Sequence, residues 1–285
     1  MTSLPDMPNP ESELARAVDY GEFHLAYQPM VSVRDGAMVF VEALLRWDHP
    51  RHGLLWPGQF LDETSTSPVQ QRLSRWVLTD AARWSAHWRR RYPEQPIAVS
   101  VNVAEHELDE ADLAVRVSSA LNKVRLDPPA LALEIKESWL LEDLDRSRDR
   151  LGSLDDLGVQ LFVDNVGSTT GDAAATIEAL AGMPIDVVKL DRRVMETCTD
   201  GLSASRADGS DSDAAALIAL AHRLGFRVLA EGVEQASQAE QLRLLGCDLA
   251  QGYHFHRPQP REYVDVLLRE ARSERVKRMR ASMSA

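Results

Sequence analysis

Eight short apolar runs, most of them separated by segments with helical spacing, constrain this sequence more than any other feature. From Phe23 onward they read FHLAYQPMVSV, MVFVEALLRW, IAVSVNV, ALALEIK, VQLFVD, IDVVKLD, FRVLAEG and CDLAQGY. Apolar runs of this length read as strands, whereas stretches such as 70–91 and 213–224 carry the three- and four-residue spacing of amphipathic helices. Eight strands with helices after most of them predict an α/β fold, a TIM-like (β/α)8 barrel. The chain's 285 residues suit one such barrel, which takes about 250. Only Arg34-Asp35-Gly36-Ala37 separates the first two runs. Asp-Gly is a hairpin signal, so the first strand is expected to lie antiparallel to the rest.

This reading divides the chain into an N-terminal extension over 1–16, expected to be disordered, a barrel over 17–268, and a tail over 269–285. The tail is basic, with Arg272, Arg275, Lys277, Arg278 and Arg280. Residues 197–213 (TCTDGLSASRADGSDSD) are polar, rich in Gly and Ser, and free of apolar periodicity, which reads as an inserted surface loop. The start, MTSLPDMPNPESEL, lacks a basic segment followed by an apolar core. No stretch approaches the roughly 18 apolar residues of a membrane span. The expectation is therefore a cytoplasmic protein without signal peptide or membrane anchor. Cys198 and Cys247 stand alone, outside any zinc or redox spacing.

Lys and Arg number 32 against 44 Asp and Glu, a formal net charge of -12. That balance argues against a nucleic-acid polymer as partner. It leaves room for a small phosphodiester held through locally recruited cations. Polar residues gather where the apolar runs end: Asn102, Glu134, Asp164, Lys189 with Asp191, Glu231, and Gln251 just past the eighth, with Glu42 inside the second. In a barrel these ends converge on one rim, where active sites are built. Carboxylates brought together there raise one another's pKa unless cations are present. Oxygen ligands without neighbouring thiolates favour Mg2+ or Mn2+ over zinc. The residues themselves thus point to a one- or two-metal hydrolytic site.

These residues also carry a resemblance. Tyr27-Gln28-Pro29, Glu42-Ala43-Leu44-Leu45-Arg46-Trp47, Ser100-Val101-Asn102-Val103, Leu133-Glu134-Ile135-Lys136-Glu137-Ser138, Asp164, Val188-Lys189-Leu190-Asp191, Ala230-Glu231-Gly232-Val233-Glu234 and Gln251-Gly252-Tyr253 occur in that order. Together they resemble the EAL-domain proteins, the bacterial family that hydrolyses cyclic di-GMP to linear pGpG. The resemblance runs from about Ala17 to Leu268.

It implies first-metal ligands at Glu42, Asn102, Glu134 and Asp164, with Asp164 able to bridge to a second metal. Glu231 matches a second-metal ligand and proposed base. Lys189 matches the lysine that orients the attacking water, and Asp191 a carboxylate close to the metal-bound waters. Gln28, Leu45, Arg46 and Gln251 match substrate contacts, and a guanidinium fork at Arg46 suits phosphate or a guanine edge. Behind the site, Glu137 matches the glutamate that anchors the loop after the fifth run. Glu234 is placed in the same supporting role.

That loop is where the chain departs from the family. Members usually read Asp-Asp-Phe-Gly-Thr-Gly-Tyr-Ser-Ser, whereas this chain has Asp164-Asn165-Val166-Gly167-Ser168-Thr169-Thr170-Gly171-Asp172. Asn165 stands at a second-metal ligand position and brings an uncharged amide oxygen, which weakens that metal. Because the loop joins metal binding to dimer contacts in relatives, a homodimer becomes an open question. Three functions therefore stand: a metal-dependent cyclic di-GMP phosphodiesterase, a cyclic di-GMP receptor acting through a regulatory partner, and a protein-interaction scaffold. His254 and His256 lack the further ligands a zinc site needs. No GxSxG elbow, Walker loop or HExxH segment offers another chemistry.

Overall fold

Gly36, with φ of +70°, turns the chain between β1 (Phe23–Ser32) and β2 (Met38–His49). Its left-handed backbone is open to glycine without steric penalty. The turn is closed by Ser32 N–H donating to the Ala37 carbonyl at 2.8 Å. The two strands then pair antiparallel from Phe23 opposite Trp47 to Val31 opposite Met38.

The computed structural model describes residues 10–61, 67–110, 112–167, 171–192 and 213–283. From β2 the sheet continues in parallel through β4 (Ala98–Asn102), β5 (Leu131–Lys136), β6 (Gln160–Val166), β7 (Val187–Leu190), β8 (Arg227–Ala230) and β9 (Leu249–Ala250). Strand β9 meets β1 antiparallel, which closes an eight-stranded barrel with β1 running against the others. Two short strands extend it among the described residues: β3 (Gly53–Leu55) beyond β2 and β10 (Gln259–Pro260) beside β1.

Around the barrel run α1 (Pro10–Tyr20), α2 (Pro68–Arg91), α3 (Glu105–Asp109), α4 (Leu113–Val124), α5 (Glu137–Glu142), α6 (Leu144–Asp155), α7 (Ala173–Ala179), α8 (Asp213–Arg223), α9 (Ala236–Leu244) and α10 (Arg261–Met283). Helix α2 shows how local sequence sets such an element. Ser67 caps it by accepting from Gln70 N–H, and Pro68 occupies its first turn, where no backbone donor is needed. Its buried Val69, Leu73, Leu78, Ala81, Ala82 and Trp88 form one stripe toward the barrel. None of the helices described is long and apolar enough to cross a membrane.

Strand periodicity divides the interior into layers. Met30, Phe40, Ala98, Ala132, Phe162, Val187, Leu229 and Leu249, one from each barrel strand, form a buried apolar cluster separate from the core between barrel and helices. Phe40 and Phe162 meet edge to face there, with centroids 5.1 Å apart. Successive side chains on a strand alternate in direction, so the residue two positions nearer the rim points into the same lumen. On the eight strands that residue is Gln28, Glu42, Ser100, Glu134, Asp164, Lys189, Glu231 and Gln251. An apolar floor thus carries a wholly polar ring.

Gly252 allows the last strand to complete the ring. A Cβ there would fall 2.1 Å from the Val233 carbonyl oxygen. The same Val233 donates to the Gln251 carbonyl at 3.1 Å and accepts from His254 N–H at 2.9 Å. Only a residue without a side chain fits so close an approach.

Two boundaries drawn from sequence move. The extension through residue 16 is helical from Pro10, because Leu14 and Ala17 are buried against the core and Glu13 pairs with Arg51 and with the buried His49. The tail begins within α10, which runs without a break across residue 269 and is tied back where Arg275 donates to the Glu94 carbonyl at 2.7 Å. The expected surface loop over 197–213 lies outside the described residues except at Asp213, which opens α8.

Candidate active site

The polar ring is organised by one cation. Lys189 at the end of β7 is 1% exposed, and its Nζ hydrogen-bonds Glu134 Oε2 from β5. The same ammonium lies 2.8 Å from Asp164 Oδ1 on β6 and 2.9 Å from Glu231 Oε1 just past β8. Its contact with Asp164 Oδ1 is an ion pair without hydrogen-bond alignment. Burial pulls the lysine pKa down, but Asp164, Glu134, Glu231 and Glu42 together hold it well above its usual range. It is therefore a fixed positive charge throughout the physiological range.

Two of the carboxylates, Glu134 and Glu231, are raised as well, which for an acid favours the neutral form. Burial, then Glu42 and Asp164, push Glu134 up to about 8 against the attraction of Lys189. Burial, with Asp164 and Glu42, takes Glu231 to about 7, again opposed by Lys189. One ammonium does not neutralise four converging carboxylates, and the remaining charge is relieved by protons or by added cations.

Glu42 is engaged on both oxygens: Asn102 Nδ2 donates to Oε1 at 3.0 Å and Gln251 Nε2 to Oε2 at 2.8 Å. Gln28 sits directly across from Glu42 in the β1–β2 pairing and donates to the His256 carbonyl at 3.2 Å. Asp191 and Arg192 join Gln28, Glu42, Glu231 and Gln251 around a cleft of about 270 Å³ above the ring. The structure thus brings together Gln28, Glu42, Asn102, Glu134, Asp164, Lys189, Asp191, Glu231 and Gln251.

Other expected residues fall outside the ring. Arg46 is buried near the mouth, donating to the Leu45 carbonyl at 2.7 Å. Burial lowers its guanidinium pKa, while Glu42 and Tyr253 oppose that. Leu45 lies on the opposite face of β2, in the core between barrel and helices, because strand alternation separates it from Glu42 and Arg46. Glu234 also borders the cleft, where it forms an ion pair with Arg192 at 2.6 Å. Glu137 is fully buried at the start of α5 and accepts from Gly167 N–H at 2.9 Å, fastening the chain that leaves β6. Residues 168–170 of that loop lie outside the described residues.

Asn165 has φ of +61°, a left-handed conformation that Asn tolerates better than most side chains. Its Nδ2 donates to Asp164 Oδ2 at 2.7 Å, so an amide stands where the family resemblance implies a carboxylate. Ser100 was not identified from sequence as a site residue. Its Oγ is buried in the ring without a hydrogen-bond partner. The signal for it was present: Ser100 lies two positions beyond the floor residue Ala98 and two before Asn102.

The chemistry of the donor set fits divalent cations. Glu42, Glu134 and Asp164 offer carboxylate oxygens and Asn102 an amide oxygen, with no thiolate near. Glu134 Oε1 is buried with no hydrogen-bond partner, an oxygen open to a proton or a cation. Among the described residues, no three His, Cys, Asp or Glu side chains are already spaced around one metal position. The reason is visible in the geometry: Lys189 draws three carboxylates to itself while amide groups cover Glu42.

A raised carboxylate pKa means that the folded chain retains protons the unfolded chain has released. Between the ordinary carboxylate range and about pH 8, stability contributed by Glu134 therefore falls as pH rises. In chelating buffer, the stability of Glu134→Gln relative to wild type should increase from pH 5 to pH 8, as read from urea midpoints. A difference that stays constant or shrinks contradicts the assignment.

Comparison with known proteins agrees with this geometry. The family model described as the EAL domain matches residues 11–258. An uncharacterized protein of Mycobacterium tuberculosis is 36% identical over 247 residues, covering 87% of this chain and 78% of that protein. The bifunctional diguanylate cyclase/cyclic di-GMP phosphodiesterase MucR of Pseudomonas aeruginosa is 34% identical over 252 residues, 88% of this chain and 35% of MucR. The structure of the MucR phosphodiesterase in complex with c-di-GMP superposes with a TM-score of 0.77 at 32% identity, covering 90% of this chain and 99% of that one. The chain belongs to the EAL domain family.

Proposed function

We propose that this chain hydrolyses cyclic di-GMP to linear pGpG with Mg2+ or Mn2+ as its cofactor. The observation that carries this reading is the polar ring itself, with Lys189 Nζ held among Glu134, Asp164 and Glu231 beside Glu42. Burying three acidic groups, Glu42, Glu134 and Asp164, without a ligand to use them is unfavourable, which argues against a scaffold role. MucR, similar to this chain in sequence and fold, is named a cyclic di-GMP phosphodiesterase.

Glu42, Asn102, Glu134 and Asp164 are the residues that would hold the first cation, with Glu231, Asp164 and Asn165 toward a second. When bound, such cations supply Lewis-acid activation of the phosphoryl oxygen and of water. Glu231, raised to about 7 and with its side chain 20% exposed, is suited to accept a proton from the attacking water at neutral pH. Lys189 offers a permanent positive charge to the phosphoryl oxygens as charge builds on them. Asp191 borders the cleft, suited to orient water, and Gln28 and Gln251 there, with Arg46 nearby, would hold the nucleotide. The water oxygen forms a bond to phosphorus, one of the two diester bonds breaks, and the departing oxygen takes up a proton.

The receptor reading is favoured by one observation, the amide of Asn165 donating to Asp164 in place of a second carboxylate. Both readings are separated by chromatography of nucleotide incubated with purified protein and Mg2+ or Mn2+. The expected result is metal-dependent pGpG, lowered roughly 100-fold or more in Glu42→Ala. Tight nucleotide binding without pGpG in either metal overturns the enzyme and leaves the receptor. Asn165→Asp is expected to lower the Mn2+ concentration that gives half-maximal turnover. An unchanged metal requirement shows that the missing charge at this position is not limiting.

A further inference from the structure

The rim above the polar ring carries an exposed aromatic surface beside a buried guanidinium. Strand β2 continues past Glu42 through Leu44 to Arg46, residues that alternate onto one face. It then returns as β3, whose register places Trp47 opposite Leu55, Asp48 opposite Leu54 and His49 opposite Gly53. One further step along this pairing brings Trp56 opposite Arg46. Consistently, the Arg46 guanidinium carbon lies 6.0 Å from the Trp56 ring centroid. Arg46 is 7% exposed, but Trp56 is 52% exposed, and its backbone is pinned by N–H donating to Gln59 Oε1 at 2.9 Å.

The half-exposed indole stands beside the buried Arg46 at the mouth of a polar site. Glu42 and Tyr253, which act electrostatically on Arg46, both border the cleft. The ring of acids and amides can address a phosphodiester through cations but offers no flat apolar surface to a purine. Trp56 supplies one, and the adjacent guanidinium supplies paired donors suited to a guanine edge.

We propose that Trp56 is a specificity-determining residue, a platform on which one guanine base of the cyclic dinucleotide stacks while Arg46 addresses that base or its phosphate. This rests on the reading of cyclic di-GMP as the ligand. Trp56 takes no part in bond breaking, so its effect falls on binding and KM rather than on kcat.

The test measures cyclic di-GMP binding to the full chain by calorimetry in chelating buffer, indole emission in stopped flow, and product formation in Mg2+. Wild type, Trp56→Phe and Trp56→Ala are compared. Trp56→Ala is expected to weaken binding and raise KM by about 5- to 100-fold, with kcat changed less than about twofold. Trp56→Phe, which keeps an aromatic face, should bind within a few-fold of wild type. The nucleotide-dependent emission change should vanish in both variants. Because Trp56 is exposed, both should retain the wild-type circular dichroism spectrum. If wild type binds the nucleotide and Trp56→Ala binds equally well, the platform is wrong and the phosphodiesterase reading stands. If folded wild type neither binds nor hydrolyses cyclic di-GMP, the functional reading and the platform both fall.

Discussion

A single ammonium group, Lys189 Nζ, lies among three carboxylates in the mouth of the barrel, and the rest of the site is arranged around that contact. Glu134, Asp164 and Glu231 come from β5, β6 and the end of β8, which the sheet order places around Lys189 on β7. Without the lysine their mutual repulsion inside a buried mouth would oppose closure. With it, the cluster still carries more negative than positive charge. Glu134 is shifted toward the protonated state for that reason as well as for its burial. The site is thus poised between two occupants of the same charge deficit, protons and metal cations.

Much of this was legible in the sequence because a strand has a period of two. Once each apolar run is placed in a barrel, residues such as Phe40, Phe162 and Val187 face the axis, and Glu42, Asp164 and Lys189 follow on the same side. The Asp-Gly turn made the antiparallel first strand readable as well, since the four residues Arg34-Asp35-Gly36-Ala37 between the runs leave no room for a crossover helix. Ser100 was equally accessible to the same count. A serine in a strand, however, carries no chemical signature until its hydroxyl is buried and unpartnered, as that of Ser100 is.

Tertiary contacts account for what sequence did not reveal. The ordering of α1 depends on His49 and Arg51, which lie more than thirty positions from Glu13 and reach it only after β2 has formed. Leu45 sits next to Arg46 in a motif associated with the ligand, but its side chain fills the layer between barrel and helices. For α1 partners distant in sequence decide the arrangement, and for Leu45 the alternation of the strand does.

The central claim, that excess carboxylate charge in the ring is held by protons until cations replace them, is tested most directly by metal binding itself. Calorimetric titration of Mn2+ into the nucleotide-free chain near pH 7, repeated in buffers of different ionisation enthalpy, counts the protons released. The account predicts net proton release on binding, substantially reduced in Glu134→Gln. Binding with no proton release in wild type, or with equal release in the variant, would contradict it.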